Sequence, residues 1–164
     1  MATVLVMLGF LGSCGTRDFE KNPCELDSQV RPIKLMADEL SYSPFEKYVN
    51  LFSDPSFHWI ERATHSDIGG ISVDRFELKR KFLGHTGKIE YVFYFRRLAE
   101  TRFHPDNASD FFKEAGNQGL PTSNFQELVK GNLKYWAIRR DAVEFLGVAD
   151  SRITRSFVAC TAYD

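Results

Sequence analysis

The sequence predicts an α+β fold, a single domain with N-terminal helices packed on an antiparallel β-sheet whose meander covers residues 71–104. Three observations lead there. Two proline-led start signals, Ser43-Pro44-Phe45-Glu46 and Asp54-Pro55, open apolar stretches ahead of the middle of the chain. Between residues 71 and 104 the apolar pattern changes to a period of two, broken by short connections. The chain has 164 residues, which suits one core. Connections this short favour antiparallel pairing, because a parallel crossover needs about a dozen residues or more.

Taken in order, the first helix starts at a capping box: Ser43 accepts from the backbone, Glu46 reaches back, and Pro44 occupies the first helical position. Phe45, Val49 and Phe52 then share one face. A second helix starts at Asp54-Pro55 and runs to about His65, before Gly69-Gly70 breaks it. Strands follow at 71–79, 88–95 and 98–104, joined through Gly84-His85-Thr86-Gly87 and then Arg96-Arg97. The run Ile89-Glu90-Tyr91-Val92-Phe93-Tyr94-Phe95 is apolar on both faces and predicts the central strand of the three. Asp106-Asn107 caps a short helix reaching Ala115, with Asp110 near its positive end. A loop at 116–121 precedes another capped segment, 124–130, closed by Gly131. Residues 133–139 and 152–160 read as late strands, and 143–148 fits either structure. No internal repeat is visible.

Composition narrows the function classes. With 43% hydrophobic and 26% charged residues the chain belongs with ordinary globular proteins. Its 21 basic and 22 acidic side chains leave a net charge of −1, so nothing draws the whole molecule toward nucleic acid. The 15 Phe side chains are the expected mass of the core. No apolar run reaches the roughly 18–20 residues of a membrane-spanning helix. The three cysteines, Cys14, Cys24 and Cys160, form no C-x-x-C pair and match no zinc or redox spacing.

The opening run, Val4-Leu5-Val6-Met7-Leu8-Gly9-Phe10-Leu11-Gly12-Ser13-Cys14, is uncharged and apolar and ends in small residues and a cysteine. Leu11-Gly12-Ser13-Cys14 resembles the lipobox of bacterial lipoproteins. The resemblance implies diacylglycerol on the Cys14 thiol and cleavage just before it. Gly15, standing where Asp would favour inner-membrane retention, implies the outer membrane. One feature departs from the pattern: Met1-Ala2-Thr3 carries no Lys or Arg. With Cys14 taken by lipid, Cys24 and Cys160 are left as a candidate disulfide in an oxidising periplasm. The same opening residues also read as a buried first strand at 3–8. A phosphate turn built on Gly9, Gly12 and Gly15 is a further reading, which the residues argue against because neither a dinucleotide fingerprint nor Gly-Lys-Ser/Thr is present.

Candidate site residues are few. On a helix His58, Glu61 and His65 share a face, but they lack both H-E-x-x-H and a fourth ligand. His104 with Asp106 offers an acid and a base without a marked nucleophile. The aromatic strand lacks the glycines that let bases lie on an RNA-recognition sheet, which argues for core. Basic groups stand at Lys79-Arg80-Lys81, Arg139-Arg140, Arg152 with Arg155, and Arg96-Arg97 with Arg102. The last group is the binding candidate, as part of a basic sheet rim facing an anionic partner.

The expected organisation is therefore a signal peptide at 1–13, a lipidated tether at 14–32 and one periplasmic domain at 33–164. The expected function is a non-catalytic envelope lipoprotein, held to the membrane by its lipid and binding a protein partner in envelope assembly, maintenance or immunity. No catalytic residue, metal, cofactor or nucleic-acid partner is expected. The alternative is a periplasmic hydrolase, with or without metal, using His104 or the His58/His65 face. By layout alone, two helices before a meander resemble small lipoproteins of outer-membrane assembly.

Overall fold

The structure, a computed structural model, describes residues 30–65, 71–140 and 142–161. Seven strands build one antiparallel sheet: β1 (His58–His65), β2 (Ile71–Phe82), β3 (His85–Tyr94), β4 (Arg97–Pro105), β5 (Glu127–Lys130), β6 (Leu133–Arg140) and β7 (Val143–Asp150). Their order is β1-β2-β3-β4-β7-β6-β5, so two meanders meet where β4 pairs with β7. Helix α1 (Ala108–Asn117) links the meanders and α2 (Ser151–Thr161) follows β7. The antiparallel α+β class holds, whereas helices do not dominate the N-terminal part.

The second predicted helix is a strand. Asp54 Oδ1 accepts from the Ser56 amide at 2.9 Å and the Ser56 hydroxyl at 2.6 Å, closing a local turn from which the chain enters β1. The aromatic and β-branched residues Phe57, Trp59 and Ile60 suit a pleated surface. A bulge between Trp59 and Glu61 interrupts the period of two, which hides the strand from a periodicity count. The first predicted helix is a 3-10 segment, Phe45–Ser53, and its N-cap has no side-chain hydrogen bond. Glu46 turns to Arg96 instead of completing a capping box. The layout shared with outer-membrane assembly lipoproteins thus loses its two-helix premise.

Two later elements also differ. The segment 124–130 is no helix, because Asn124 bonds both the carbonyl and the amide of Arg139, at 2.8 and 2.7 Å, and so lies beside β6. Residues 152–160 form α2 rather than a strand. Ile153, Phe157 and Cys160 recur at helical spacing on its inner side, and Asp150 Oδ1 accepts from the Arg152 amide at its start. The ambiguous 143–148 lies within β7, and 133–139 within β6. The short helix after Asn107 is present, with the Asn107 side chain accepting from the Asp110 amide.

The central meander matches expectation, with β3 between β2 and β4. Its first turn is tighter than the sequence suggests, at Leu83-Gly84, and its second, at Phe95-Arg96, has the expected two residues but lies one position earlier; all four are in left-handed backbone. Gly87 belongs to β3, where a Cβ would stand 2.3 Å from the His104 carbonyl oxygen and 2.8 Å from the Phe103 ring. Gly87→Ala is expected to lower stability by about 1–3 kcal/mol through forced backbone shift, as read by urea denaturation.

Register divides the sheet into two unlike faces. One carries Phe76, Leu78, Ile89, Tyr91, Phe93, Phe103, Leu146 and Val148, all buried. Phe45 and Tyr48 of the 3-10 segment and Phe111 and Phe112 of α1 cover it. The rings interlock around Phe76, whose centroid lies 5.0 Å from Tyr91, 5.6 Å from Phe93 and 5.8 Å from Trp59. No helix among the described residues is long and apolar enough to cross a membrane.

Candidate functional site

The opposite face of the sheet is charged. In β4 the two-residue period puts Glu100, Arg102 and His104 on this face, beside Glu90 of β3 and Arg75 of β2. Glu90 is 2% exposed and sits at the centre. It accepts from Arg75 at 2.7 Å and Arg102 at 3.2 Å, and stands 3.3 Å from His104 Nε2. Arg75 also bonds Glu61 at 3.0 Å, and Arg102 pairs with Glu100. Burial pushes Glu90 up, but the hydrogen bond with His104 and the charges of Arg102 and Arg75 outweigh it and hold the carboxyl below the usual range. Glu100 goes the other way. Burial raises it and the Arg102 guanidinium only partly offsets the rise.

α2 crosses this face directly after β7. Asp150, fully buried, accepts from the Ser41 hydroxyl at 2.7 Å and from Arg152 Nη2 at 2.6 Å, which fixes where the helix begins. Phe157 then stacks on Tyr94 with centroids 4.0 Å apart. Between α2 and the sheet lies an open cleft of about 620 Å3. Tyr94, Glu100, Trp136 and Ala149 line it from the sheet, and Thr154, Val158 and Ala159 from α2. Trp136 lies against Gly147, where a Cβ would come within 2.4 Å of the indole, so the ring rests on bare backbone and its side toward the cleft is uncovered. Burial, followed by the Glu100 charge, pushes the Tyr94 hydroxyl up to about 12.

The three candidate arginines are not brought together. Arg96 stands in the β3–β4 turn and Arg97 opens β4; Arg96 bonds Glu46 at 3.0 Å and lies 4.9 Å above the Phe45 ring. Arg102 is within the charged network instead. The other basic groups also find partners: Arg80 pairs with Asp54, Arg139 with Glu144 and Arg152 with Asp150. Lys79, Arg80 and Lys81 line a second, smaller cleft of about 410 Å3 with Thr86 and Asp106.

As β1 is a strand, the shared helical face of His58, Glu61 and His65 does not exist. His58 approaches Glu77 at 3.7 Å and Glu61 serves Arg75. His104 stands against Glu90, while the Asp106 amide donates to the Thr86 carbonyl. Among the described residues, no group of three or more His, Cys, Asp or Glu side chains is placed to hold a metal ion. Cys160 is buried near the end of α2, whereas Cys14 and Cys24 lie outside the described residues.

No family model, curated protein or solved structure matches the chain. Sequence reasoning missed Glu90, Glu100 and Trp136. The signal for Glu100 was present in the period of β4, which puts 100, 102 and 104 on one face, and Glu90 joins that face through the pairing of β3 with β4. Trp136 needed the placement of the β6–β7 hairpin beside β4, which brings it to one cleft with Tyr94 and Glu100, a long-range fact.

Proposed function

We propose that this chain is a non-catalytic, lipid-anchored protein of the bacterial envelope whose periplasmic domain binds a protein partner through the cleft beneath α2. The lipobox-like Leu11-Gly12-Ser13-Cys14 supports the anchor, and Gly15 supports the outer membrane. The observation that carries the binding reading is the cleft itself. It is apolar and aromatic over most of its lining, and Val158 on its helical wall is 61% exposed. The charged groups nearby act mainly on one another, Glu90 serving as a shared counter-ion to two arginines. Cys24 and Cys160 pair after export in this reading.

The test is mass spectrometry of the full chain expressed in bacteria, together with site-specific cross-linking from position 158. The expected results are a diacylglyceryl adduct on Cys14, two cysteines resistant to alkylation until reduction, and one discrete cross-linked envelope protein. An intact Met1 with an unmodified Cys14 overturns the anchor. Cross-linking spread over many proteins without preference overturns the partner.

A further inference from the structure

We infer that the cleft between α2 and the sheet receives a cationic group on an apolar stem, an alkylammonium or guanidinium, with Tyr94 and Trp136 as its aromatic platform and Glu100 as its counter-ion. The inference rests on the partner-binding reading only for the source of the cation, which there is a Lys or Arg side chain of the bound protein.

Several features of the cleft carry it. Its volume of about 620 Å3 is that of a small-molecule or side-chain site. Two aromatic rings line it: Trp136, whose indole rests on the bare backbone of Gly147 and presents its other side to the cleft, and Tyr94, one face of which is taken by Phe157. Indole and phenol faces attract cations through the negative charge over the ring. The charged side chains of the lining also divide by depth. Glu127 and Lys134 pair with each other at 2.7 Å and are both well exposed, and exposed Arg155 donates through Nε to the Ser151 carbonyl. Only Glu100 is buried, at 5% exposure.

Arg102 does not cancel Glu100. The network that contains it joins three carboxylates, Glu61, Glu90 and Glu100, to two guanidiniums, Arg75 and Arg102. Arg102 is shared between Glu90 and Glu100, so the network runs Glu61–Arg75–Glu90–Arg102–Glu100, with His104 against the central Glu90 and a carboxylate at each end. Of the two terminal carboxylates, Glu61 keeps 36% of its side chain exposed to water, whereas Glu100 is buried and lines the cleft. Burial raises the Glu100 carboxyl even with Arg102 beside it, so an incoming cation supplies the compensation that its anionic form lacks. Small side chains at Ala149 and Ala159 leave room for the stem.

The test uses the full chain, labelled with nitrogen-15, titrated with butylammonium and with 1-butanol. The chain has two tryptophans, Trp59 and Trp136, so Trp59 on the other face of the sheet is an internal control. The expected result is a shift of the Trp136 indole signal, an unmoved Trp59 signal, and about tenfold tighter binding of the ammonium than of the alcohol. Glu100→Gln should bring the ammonium down to the alcohol's affinity. Val158→Trp, on the exposed wall, should block both probes without touching the network.

Blocked lysine or blocked arginine binding as tightly as butylammonium assigns the cation to a protein side chain. Blocked residues binding more than tenfold weaker assign it to a free amine, and the site stands. Equal binding of ammonium and alcohol, or no response at Trp136, overturns the inference. If Glu100→Gln fails to fold, the wild-type comparison and Val158→Trp decide. A discrete partner captured without any probe response overturns this site alone, and probe binding without a discrete partner overturns the partner reading alone.

Discussion

Phe76→Ala is expected to remove about 3–5 kcal/mol of folding stability, the range for deleting a fully buried aromatic ring. Phe76 has no exposed surface and touches rings from three directions. Tyr91 and Phe93 lie nearly parallel to it along β3, at interplanar angles of 21° and 25°. Trp59 meets it edge-on from β1, and Phe45, Tyr48, Phe52 and Phe57 close over it from the chain ahead of β1. These neighbours hold one another in place, so they cannot collapse into the void together. The lost transfer energy then adds to the energy of the cavity left behind. Urea denaturation should show a lower midpoint with an unchanged slope. A loss below about 1 kcal/mol would mean that the aromatic layer is loosely packed.

Glu90→Gln is expected to cost about 3 kcal/mol or more, although the two side chains have nearly the same shape. The change removes the charge to which Arg75 and Arg102 are both directed and leaves their guanidiniums facing an amide in a largely buried site. Its pH dependence gives a second readout. The folded-state carboxyl lies below its ordinary range, so its stabilisation is fully present above about pH 4.3 and is lost as pH falls through the folded value. Wild type should therefore lose stability on acidification more steeply than the variant, and the gap between them should narrow below about pH 4. Parallel stability profiles across that window would remove Glu90 as the network's anchor.

What the sequence revealed and what it hid have physical reasons. The strands β2, β3 and β4 were legible because their alternation is regular and their turns are short, so local pattern and tertiary position agree. The strand β1 was hidden because its bulge breaks the alternation and an Asp-Pro pair imitates a helix start. β5 was hidden because Asn124, an ordinary capping residue type, is bonded to a neighbouring strand instead. α2 read as extended because Ile153, Thr154 and Val158 favour strands locally, while its helical conformation comes from Asp150 at its head and the sheet beneath it. The cleft is further from reach. Its walls come from β3, β4, β5, β6, β7 and α2, and no local spacing places Tyr94, Glu100, Trp136 and Val158 around one space.

The bonds at the head of α2 also decide how the domain would carry a mechanical load. Arg152 Nη2 donates to the Arg31 carbonyl at 2.9 Å, while Ser41, which accepts from the Ile33 amide, donates to Asp150. Tension arriving from the N-terminal side meets this junction before it can reach β1, an edge strand that would otherwise peel away rung by rung. The junction passes the pull to the end of β7, an interior strand bonded on both sides. A domain hung from a membrane by its N-terminal side would thus be gripped through the middle of its sheet.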